Sequence, residues 1–488
     1  MNGTTSPGPI SSDASASTCI VGVVGAGTMG AGIAQTAAAA GHTVFLIDAR
    51  EGAAHEACVR TAAQLRQMAA KGRMTATDAE SIATRIVPCT SLVQLAPAQL
   101  VIEAIVEDLE VKQALFAELE TIVAPSALLT SNTSSISITA IGAALERPGR
   151  FAGLHFFNPA PVMKLVEVVS GLASAPETIE RLLATAQAWG KVTVRARSTP
   201  GFIVNRVARP YYAEALRLYE EQVADPATID AILTQSGGFR MGPFALMDLI
   251  GHDVNYAVSR SVFDAYYCDP RFRPSLVQLE LVQAGWLGRK TGRGFYDYAP
   301  GAFPPEAASR HAPAGSQPFE ANVLDGESIL DGVLVAVTDG RTADERARIA
   351  QQPVILLDLV FDRASASRIC FSTSQGVPPA VLSRFLATLE NGGKAATHLS
   401  DWPGLVAMRT VAMLANEAYE AVLHGVSDEA GVDAAMRFGV NYPLGPIEWA
   451  QTIGLERIAA VIDAIFRITH DPRYRVSLGL RRAIAMEP

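Results

Sequence analysis

His155 and Glu167 flank a proline-containing turn, in Leu154-His155-Phe156-Phe157-Asn158-Pro159-Ala160-Pro161 and Lys164-Leu165-Val166-Glu167-Val168-Val169. Two short apolar strands joined by such a turn let a histidine on one strand face a carboxylate on the next. The carboxylate then holds one imidazole tautomer and stabilises the imidazolium, which makes the histidine a general base near neutral pH. Proton transfer is the chemistry this spacing suggests. A hydrogen-bonded histidine at a strand end would leave the same trace, so the segment alone keeps both readings open.

The elements that would position such a base begin near the front of the chain. The apolar run Cys19-Ile20-Val21-Gly22-Val23-Val24 leads into Gly25-Ala26-Gly27-Thr28-Met29-Gly30, then an Ala-rich helix to Gly41 and a second strand from Thr43 to Ile47 that ends at Asp48. This is a complete βαβ dinucleotide fingerprint. Its first glycine makes the tight turn, the second admits the pyrophosphate, and the third lets helix and strand pack closely. Gly25, Gly27, Thr28, Met29 and Gly30 are thus the expected cofactor loop. Asp48 stands where a carboxylate bonds the adenosine ribose and repels a 2′-phosphate, which favours NAD over NADP; Arg50, two residues on, leaves room for the opposite preference.

Gln99 to Glu107 and Ala127 to Thr130 read as later parallel strands, which puts Glu107 and Asn132 to Ser135 at the rim of the cofactor crevice. Helix capping before Ile136 is the alternative use of the Ser/Thr/Asn cluster.

With 488 residues the chain exceeds one core, and 49% hydrophobic against 18% charged residues is a globular composition. No apolar run reaches the roughly 18 residues of a membrane helix, so no membrane partner is expected. A net charge of −9 argues against nucleic acid. Five scattered cysteines suit a reducing cytoplasm, lack metal-ligand spacing and imply no bound metal. Residues 1–17 read as a flexible Ser/Gly/Thr/Pro leader.

Taken in order, Gly25 to Gly30, Ala104-Ile105-Val106-Glu107, Ser131-Asn132-Thr133-Ser134-Ser135, His155-Phe156-Phe157-Asn158-Pro159, Pro200-Gly201-Phe202-Ile203-Val204-Asn205-Arg206, Met241-Gly242-Pro243 and Lys290-Thr291-Gly292-Arg293-Gly294-Phe295-Tyr296 resemble the L-3-hydroxyacyl-CoA dehydrogenase family. The resemblance spans about residues 18 to 298. It implies that His155 takes the proton of the 3-hydroxyl while hydride leaves C3 for NAD, that Glu167 orients His155, and that Ser134 and Asn205 surround the reacting oxygen. It also implies cofactor contacts for Glu107, Lys112, Asn132, Asn158 and Lys290. Lys71, flanked by Arg66 and Arg73, best matches the family's CoA-binding lysine, with a solvated helix face as the alternative. Helix capping is likewise the plain alternative for Asn205.

The second half repeats part of the first. Gly190-Lys191, Pro200-Gly201, Asp230-Ala231 and Gly242-Pro243 recur 203 residues later, and Asp269-Pro270-Arg271 recurs 202 later. Asn205 becomes Met408 while Arg206 stays as Arg409. Residues 333–372 hold strand-like runs without glycine fingerprint or His-Glu pair.

The expected fold is therefore α/β. It comprises a leader at 1–17, a Rossmann NAD-binding domain at 18–198 and an all-α dehydrogenase C-terminal domain at 199–298 for dimerisation and substrate. A linker at 299–317, a degenerate Rossmann-like segment at 318–400 and a second, non-catalytic helical domain at 401–488 follow. The short members of the family dimerise through the helical domain; here the second copy is expected to act as an internal pseudo-partner, with a homodimer still open.

The long duplicated form is similar to 3-hydroxyadipyl-CoA dehydrogenases of phenylacetate breakdown, with 3-hydroxybutyryl-CoA dehydrogenases as the near alternative. A dicarboxylic acyl chain needs a cation at the far end of its pocket, and Arg206, Arg209 and Arg240 are the candidates. A catalytically silent NADH-binding structural protein of the same fold is the reading from another class. A dehydrogenase of free 3-hydroxyacids, which typically uses a lysine, is the third.

Overall fold

The computed structural model describes residues 19–486 except 304, 321, 322 and 325; the expected leader lies outside the described residues. The chain forms two compact units. The first holds residues up to Thr133, Ala140–Lys164 and Ala173–Thr193; the second holds Ser134–Thr139, Leu165–Leu172 and everything from Val194 on.

Apolar runs make the strands of the first unit: β1 (Ile20–Val24), β2 (Thr43–Ile47), β3 (Ile86–Pro88), β4 (Leu100–Glu103), β5 (Leu128–Ser131) and β6 (Phe151–Phe156). They lie in the order 3-2-1-4-5-6, all parallel. That is the doubly wound dinucleotide-binding order, whose ligand crevice opens beyond the carboxyl ends of β1 and β4. Every residue of β4, β5 and β6 is buried, as strands covered on both faces must be. Helix α1 (Thr28–Ala39) is rich in alanine and buries Ile33, Ala34, Ala37 and Ala38; its small side chains bring it close to the sheet. Helices α2 (Ala53–Ala70), α3 (Ala76–Thr84) and α4 (Leu109–Ile122) complete the helical cover. The strand expected from Gln99 to Glu107 is shorter, because the Glu103 carboxylate turns back to accept the Ile105 N–H at 2.7 Å and ends the ladder.

The second unit contains β7 (Leu165–Ser170), and β8 (Val192–Arg197) ends in it. The short helix Val204–Val207 and five longer ones follow, Arg209–Glu220, Pro226–Gln235, Pro243–Ile250, His252–Ala265 and Leu276–Gln283. A five-stranded sheet comes next, built from β9 (Ser328–Leu330), β10 (Val333–Val337), β11 (Val354–Leu357), β12 (Arg368–Thr373) and β13 (Ala395–His398) in the order 13-12-11-10-9. Its antiparallel β11–β12 pairing and lack of a glycine loop make it a reduced α/β layer. Residues of the 299–317 stretch bond into this unit, Arg310 N–H to Ala396 O at 2.8 Å and Ala308 N–H to Thr228 Oγ1 at 2.9 Å.

The helices then recur as Ala407–Leu423, Glu429–Gly439, Pro446–Ile453, Leu455–Thr469 and Leu478–Met486. The repeat extends to capping chemistry: Asp230 accepts the N–H groups of Phe244 and Ala245, and Asp433 those of Ile447 and Glu448, all at 2.9 Å. The two helical copies also exchange buried ion pairs. Arg206 Nε meets Glu417 Oε1 at 2.6 Å, and Arg409 Nε meets Glu214 Oε2 at 2.8 Å. These are one contact seen twice under a pseudo-two-fold axis, the arrangement of an isologous interface. Among the described residues no helix is long and apolar enough to cross a membrane.

Candidate active site

The expected site residues fall into two groups. Gly25, Gly27, Thr28, Met29, Gly30, Asp48, Lys71, Glu107, Lys112, Asn132, His155 and Asn158 belong to the first unit, and Ser134, Glu167, Asn205 and Lys290 to the second.

The glycine loop in the first unit has the geometry a diphosphate needs. Gly25 sits at φ +105°, where a Cβ would lie 2.4 Å from Ala104 O, and its N–H bonds Ile47 O at 2.7 Å. A Cβ on Gly30 would fall 1.7 Å from Gly25 O, whereas one on Gly27 would meet nothing within 4 Å. The turn is therefore closed beneath and open above. Gly27 is the N-cap of α1 and has no capping side chain, and no acidic residue occupies the first turn. The first N–H groups of α1 and the positive end of its dipole so remain available to an anion.

Asp48 closes the far side of the loop. Its Oδ2 accepts the Ala26 N–H at 2.7 Å and its Oδ1 the Arg50 N–H at 2.9 Å. The Arg50 guanidinium points instead to Glu56, at 2.6 Å. A ribose diol suits this acid, and a 2′-phosphate meets its charge with the nearest arginine engaged elsewhere. The residues present fit NAD.

Beyond β4 and β5 a buried network shapes the crevice rim. Glu103, fully buried, accepts Lys112 Nζ at 2.5 Å and Ser131 Oγ at 2.6 Å. Lys112 is 1% exposed and reaches Glu107 Oε2 at 3.3 Å; Thr133 Oγ1 donates to Glu107 Oε1 at 2.6 Å. Lys112 thus acts on the rim through Glu107, which is 38% exposed. Asn132 accepts the Phe156 N–H on Oδ1 at 2.8 Å, tying β5 to the strand that carries His155. His155 is 5% exposed, and its ring lies 4.5 Å from that of Phe157. Gly27, Thr28 and Asn158 line one cavity of about 510 Å³ with Arg60, Gln64 and Met68 of α2. Lys71, the C-cap of α2, is exposed one turn past Gln67 and Met68, outside that lining.

In the second unit Glu167 is fully buried on β7, and its Oε1 accepts the N–H groups of Ile203 at 3.1 Å and Val204 at 3.0 Å. The carboxylate therefore caps the short helix Val204–Val207, whose second residue is Asn205. Asn205 is not the cap itself, so capping does not account for it. The segment that begins at Ser134 is pinned by the Ile138 N–H on Ser198 Oγ at 2.9 Å. Lys290 pairs with Asp253 at 2.5 Å and is 45% exposed.

Sequence reasoning missed Glu103 and Ser131. An acid at the end of an apolar run was the signal for Glu103, and Ser131 stood at the head of the Ser131–Ser135 motif without a role of its own.

Known proteins resemble this chain over most of its length. The model for the NAD binding domain of 3-hydroxyacyl-CoA dehydrogenase matches residues 20–199, and that for its C-terminal domain matches 201–298 and again 404–487. The 3-hydroxybutyryl-CoA dehydrogenase reduced Rossmann-fold domain matches 335–403. The chain is 46% identical to the 3-hydroxyadipyl-CoA dehydrogenase of Escherichia coli K12, over 96% of this chain and 98% of that protein. It is 44% identical to a probable 3-hydroxybutyryl-CoA dehydrogenase of Bacillus subtilis, over 57% of this chain and 96% of that one. Among solved structures, 3-hydroxybutyryl-CoA dehydrogenase from Escherichia coli K12 superposes with a TM-score of 0.91 at 46% identity, covering 96% and 99% of the two chains.

Proposed function

Because this chain belongs to the 3-hydroxyacyl-CoA dehydrogenase family and is an NAD-dependent oxidoreductase, we propose that its substrate is an L-3-hydroxyacyl-CoA ending in a carboxylate, 3-hydroxyadipyl-CoA. The observation that carries this is the near full-length similarity to the Escherichia coli 3-hydroxyadipyl-CoA dehydrogenase, which includes the reduced sheet and second helical copy. NAD, when bound, supplies the acceptor for the hydride that leaves C3.

The chain's own residues do the rest. His155 takes the hydroxyl proton at its ring nitrogen as the C3–O bond becomes a carbonyl, and Glu167 is the positioning acid that stabilises the imidazolium. Ser134 and Asn205 hold the reacting oxygen. The uncapped start of α1 supports the diphosphate and Asp48 the ribose. Glu107, Asn132, Asn158 and Lys290 edge the cofactor, with Lys112 behind Glu107; Lys71 serves the CoA moiety. Cys19, Cys58, Cys89, Cys268 and Cys370 are all free thiols, which suits a cytoplasmic enzyme.

An NADH-linked assay with CoA esters of varied chain length and terminal charge tests the reading. Efficient oxidation of 3-hydroxyadipyl-CoA is expected. A strong preference for 3-hydroxybutyryl-CoA, which the name of the superposed structure favours, would replace the substrate. No NADH from any ester would leave a cofactor-binding structural role.

A further inference from the structure

The three candidate arginines, Arg206, Arg209 and Arg240, differ in their surroundings. Arg206 is spent on Glu417 at 2.6 Å, with its guanidinium 5.1 Å from the Tyr266 ring centroid. Arg240 is exposed and its Nη1 meets Asn441 Oδ1 at 3.4 Å. Arg209 is 7% exposed and has no carboxylate partner among the described residues. Its Nη1 meets Ser259 Oγ at 3.3 Å, its guanidinium lies 4.9 Å from the Tyr212 ring centroid, and its buried Nε has no hydrogen-bond partner among the described residues. An ion held this way normally has a counter-ion, because burying an unpaired charge is costly. The burial is strong enough to lower the affinity of this guanidinium for its own proton.

Arg209 lines a cavity of about 520 Å³ inside the second unit. Leu216, Phe272 and Leu276 give it apolar walls, and Arg217 adds a second guanidinium whose buried Nη2 also lacks a partner. The acid in the lining, Glu220, is eleven residues along the helix from Arg209 and accepts Ser275 Oγ at 2.6 Å. Arg217, Arg271 and Arg473 also line the cavity but pair with Glu214, Asp269 and Asp471, and Arg273 is exposed, so Arg209 is the lining arginine that is buried without a carboxylate among the described residues.

The internal repeat shows that the scaffold does not require this arginine. Shifted by 203, Arg206 recurs as Arg409 and keeps its ion pair, whereas Asn205 becomes Met408 and Arg209 becomes fully buried Ala412. Asn205, in the short helix Val204–Val207, and Arg209, the first residue of the next helix, lie four residues apart across Ala208, whose backbone stays right-handed, a rise of about 6 Å at helical pitch. An acyl chain held at its C3 oxygen by Asn205 reaches a C6 carboxylate through three carbon–carbon bonds of about 1.5 Å each.

We propose that Arg209 binds the terminal carboxylate of the acyl chain, and so selects dicarboxylic over plain 3-hydroxyacyl-CoA substrates. This rests on the reaction proposed above. A guanidinium suits the task because its planar fork can bind both carboxylate oxygens.

The test compares 3-hydroxyadipyl-CoA with its terminal methyl ester on the full-length wild type, Arg209→Met and Arg209→Lys, with thermal unfolding run alongside. The wild type should favour the free acid by about ten- to hundredfold in kcat/KM. Arg209→Met should erase that ratio mainly through KM, and Arg209→Lys should restore part of it. A wild type that treats acid and ester alike overturns the inference and leaves the substrate reading standing. Equal loss on both substrates in Arg209→Met makes the residue structural and also overturns it. Free adipate that protects wild type but not Arg209→Met from heat, with acid and ester oxidised alike, would assign the cavity to a separate carboxylate and defeat the proposal. Turnover of 3-hydroxybutyryl-CoA with neither six-carbon ester oxidised would remove both readings.

Discussion

The functional load at the scale of single residues is carried by groups whose burial leaves them few alternatives. His155 is 5% exposed at the end of a wholly buried strand. Replacing it with Gln keeps the volume and some hydrogen bonding but removes the proton acceptor, so turnover should fall by about 10²–10⁴ while NADH affinity stays nearly unchanged. Stopped-flow NADH production and fluorescence titration separate the two, and a parallel loss of NADH affinity would make His155 structural. Lys112 makes a different prediction. Its ammonium neutralises fully buried Glu103 at 2.5 Å and steadies Glu107 at 3.3 Å. Lys112→Met strands a buried carboxylate, which costs about 3–5 kcal/mol when one partner of such a pair is removed. Chemical denaturation should register that loss, adding Glu103→Gln should recover much of it, and an undiminished unfolding midpoint would show that Lys112 serves the cofactor alone.

Among the elements, the informative comparison is between two helix starts. Glu167 caps Val204–Val207 through Ile203 and Val204, and Asp358 caps Ala407–Leu423 through Val406, Ala407 and Met408, at positions shifted by 203. The second copy keeps a carboxylate for the helix although Asn205 has become Met408. Capping is thus a service the fold needs in both halves, and any catalytic duty of Glu167 is added to it. Burial pushes the Asp358 carboxyl up to about 6, against the four backbone N–H groups that favour its charge. Its folded value therefore exceeds the unfolded one near 4, so its stabilising contribution is full below pH 4 and is lost as pH rises through 6. Between pH 4 and 7 the wild type should lose about 3 kcal/mol more than Asp358→Asn. Asp230, also raised to about 6, is present in both proteins and cancels. Parallel unfolding curves across that range would refute the assignment.

The elements also show what the sequence could reveal. Strands β1, β2, β4, β5 and β6 and the glycine loop were legible because a buried strand and a tight turn each leave a local pattern, whereas the three-residue β3 was not read. Glu103 was not, because a buried acid at a strand end looks like any other until Lys112 and Ser131 are seen around it. Arg206, Arg209 and Arg240 looked equivalent for the same reason: what separates them is the partner, and the Glu417 that claims Arg206 lies 211 residues away.

For the whole molecule, the proposal that the second half stands in for a second subunit rests on paired contacts. The reciprocal pairs Arg206–Glu417 and Arg409–Glu214 are buried at both ends. Position 417 is position 214 shifted by the repeat, so two first copies would offer each other Arg206 and Glu214 in the same relation. Shorter relatives that end where the first helical copy ends lack the second half altogether. Removing residues 318–488 should therefore not give a soluble, fully active monomer. The truncated chain is expected either to aggregate through its uncovered apolar and charged face or to pair with itself, since Arg206 would lose its carboxylate and Glu214 would keep only Arg217. Light scattering distinguishes these outcomes. If a dimer forms, Arg206→Met should break it, because that arginine then serves both sides of the axis; a truncated monomer retaining full turnover would mean that the second copy is not a substitute partner.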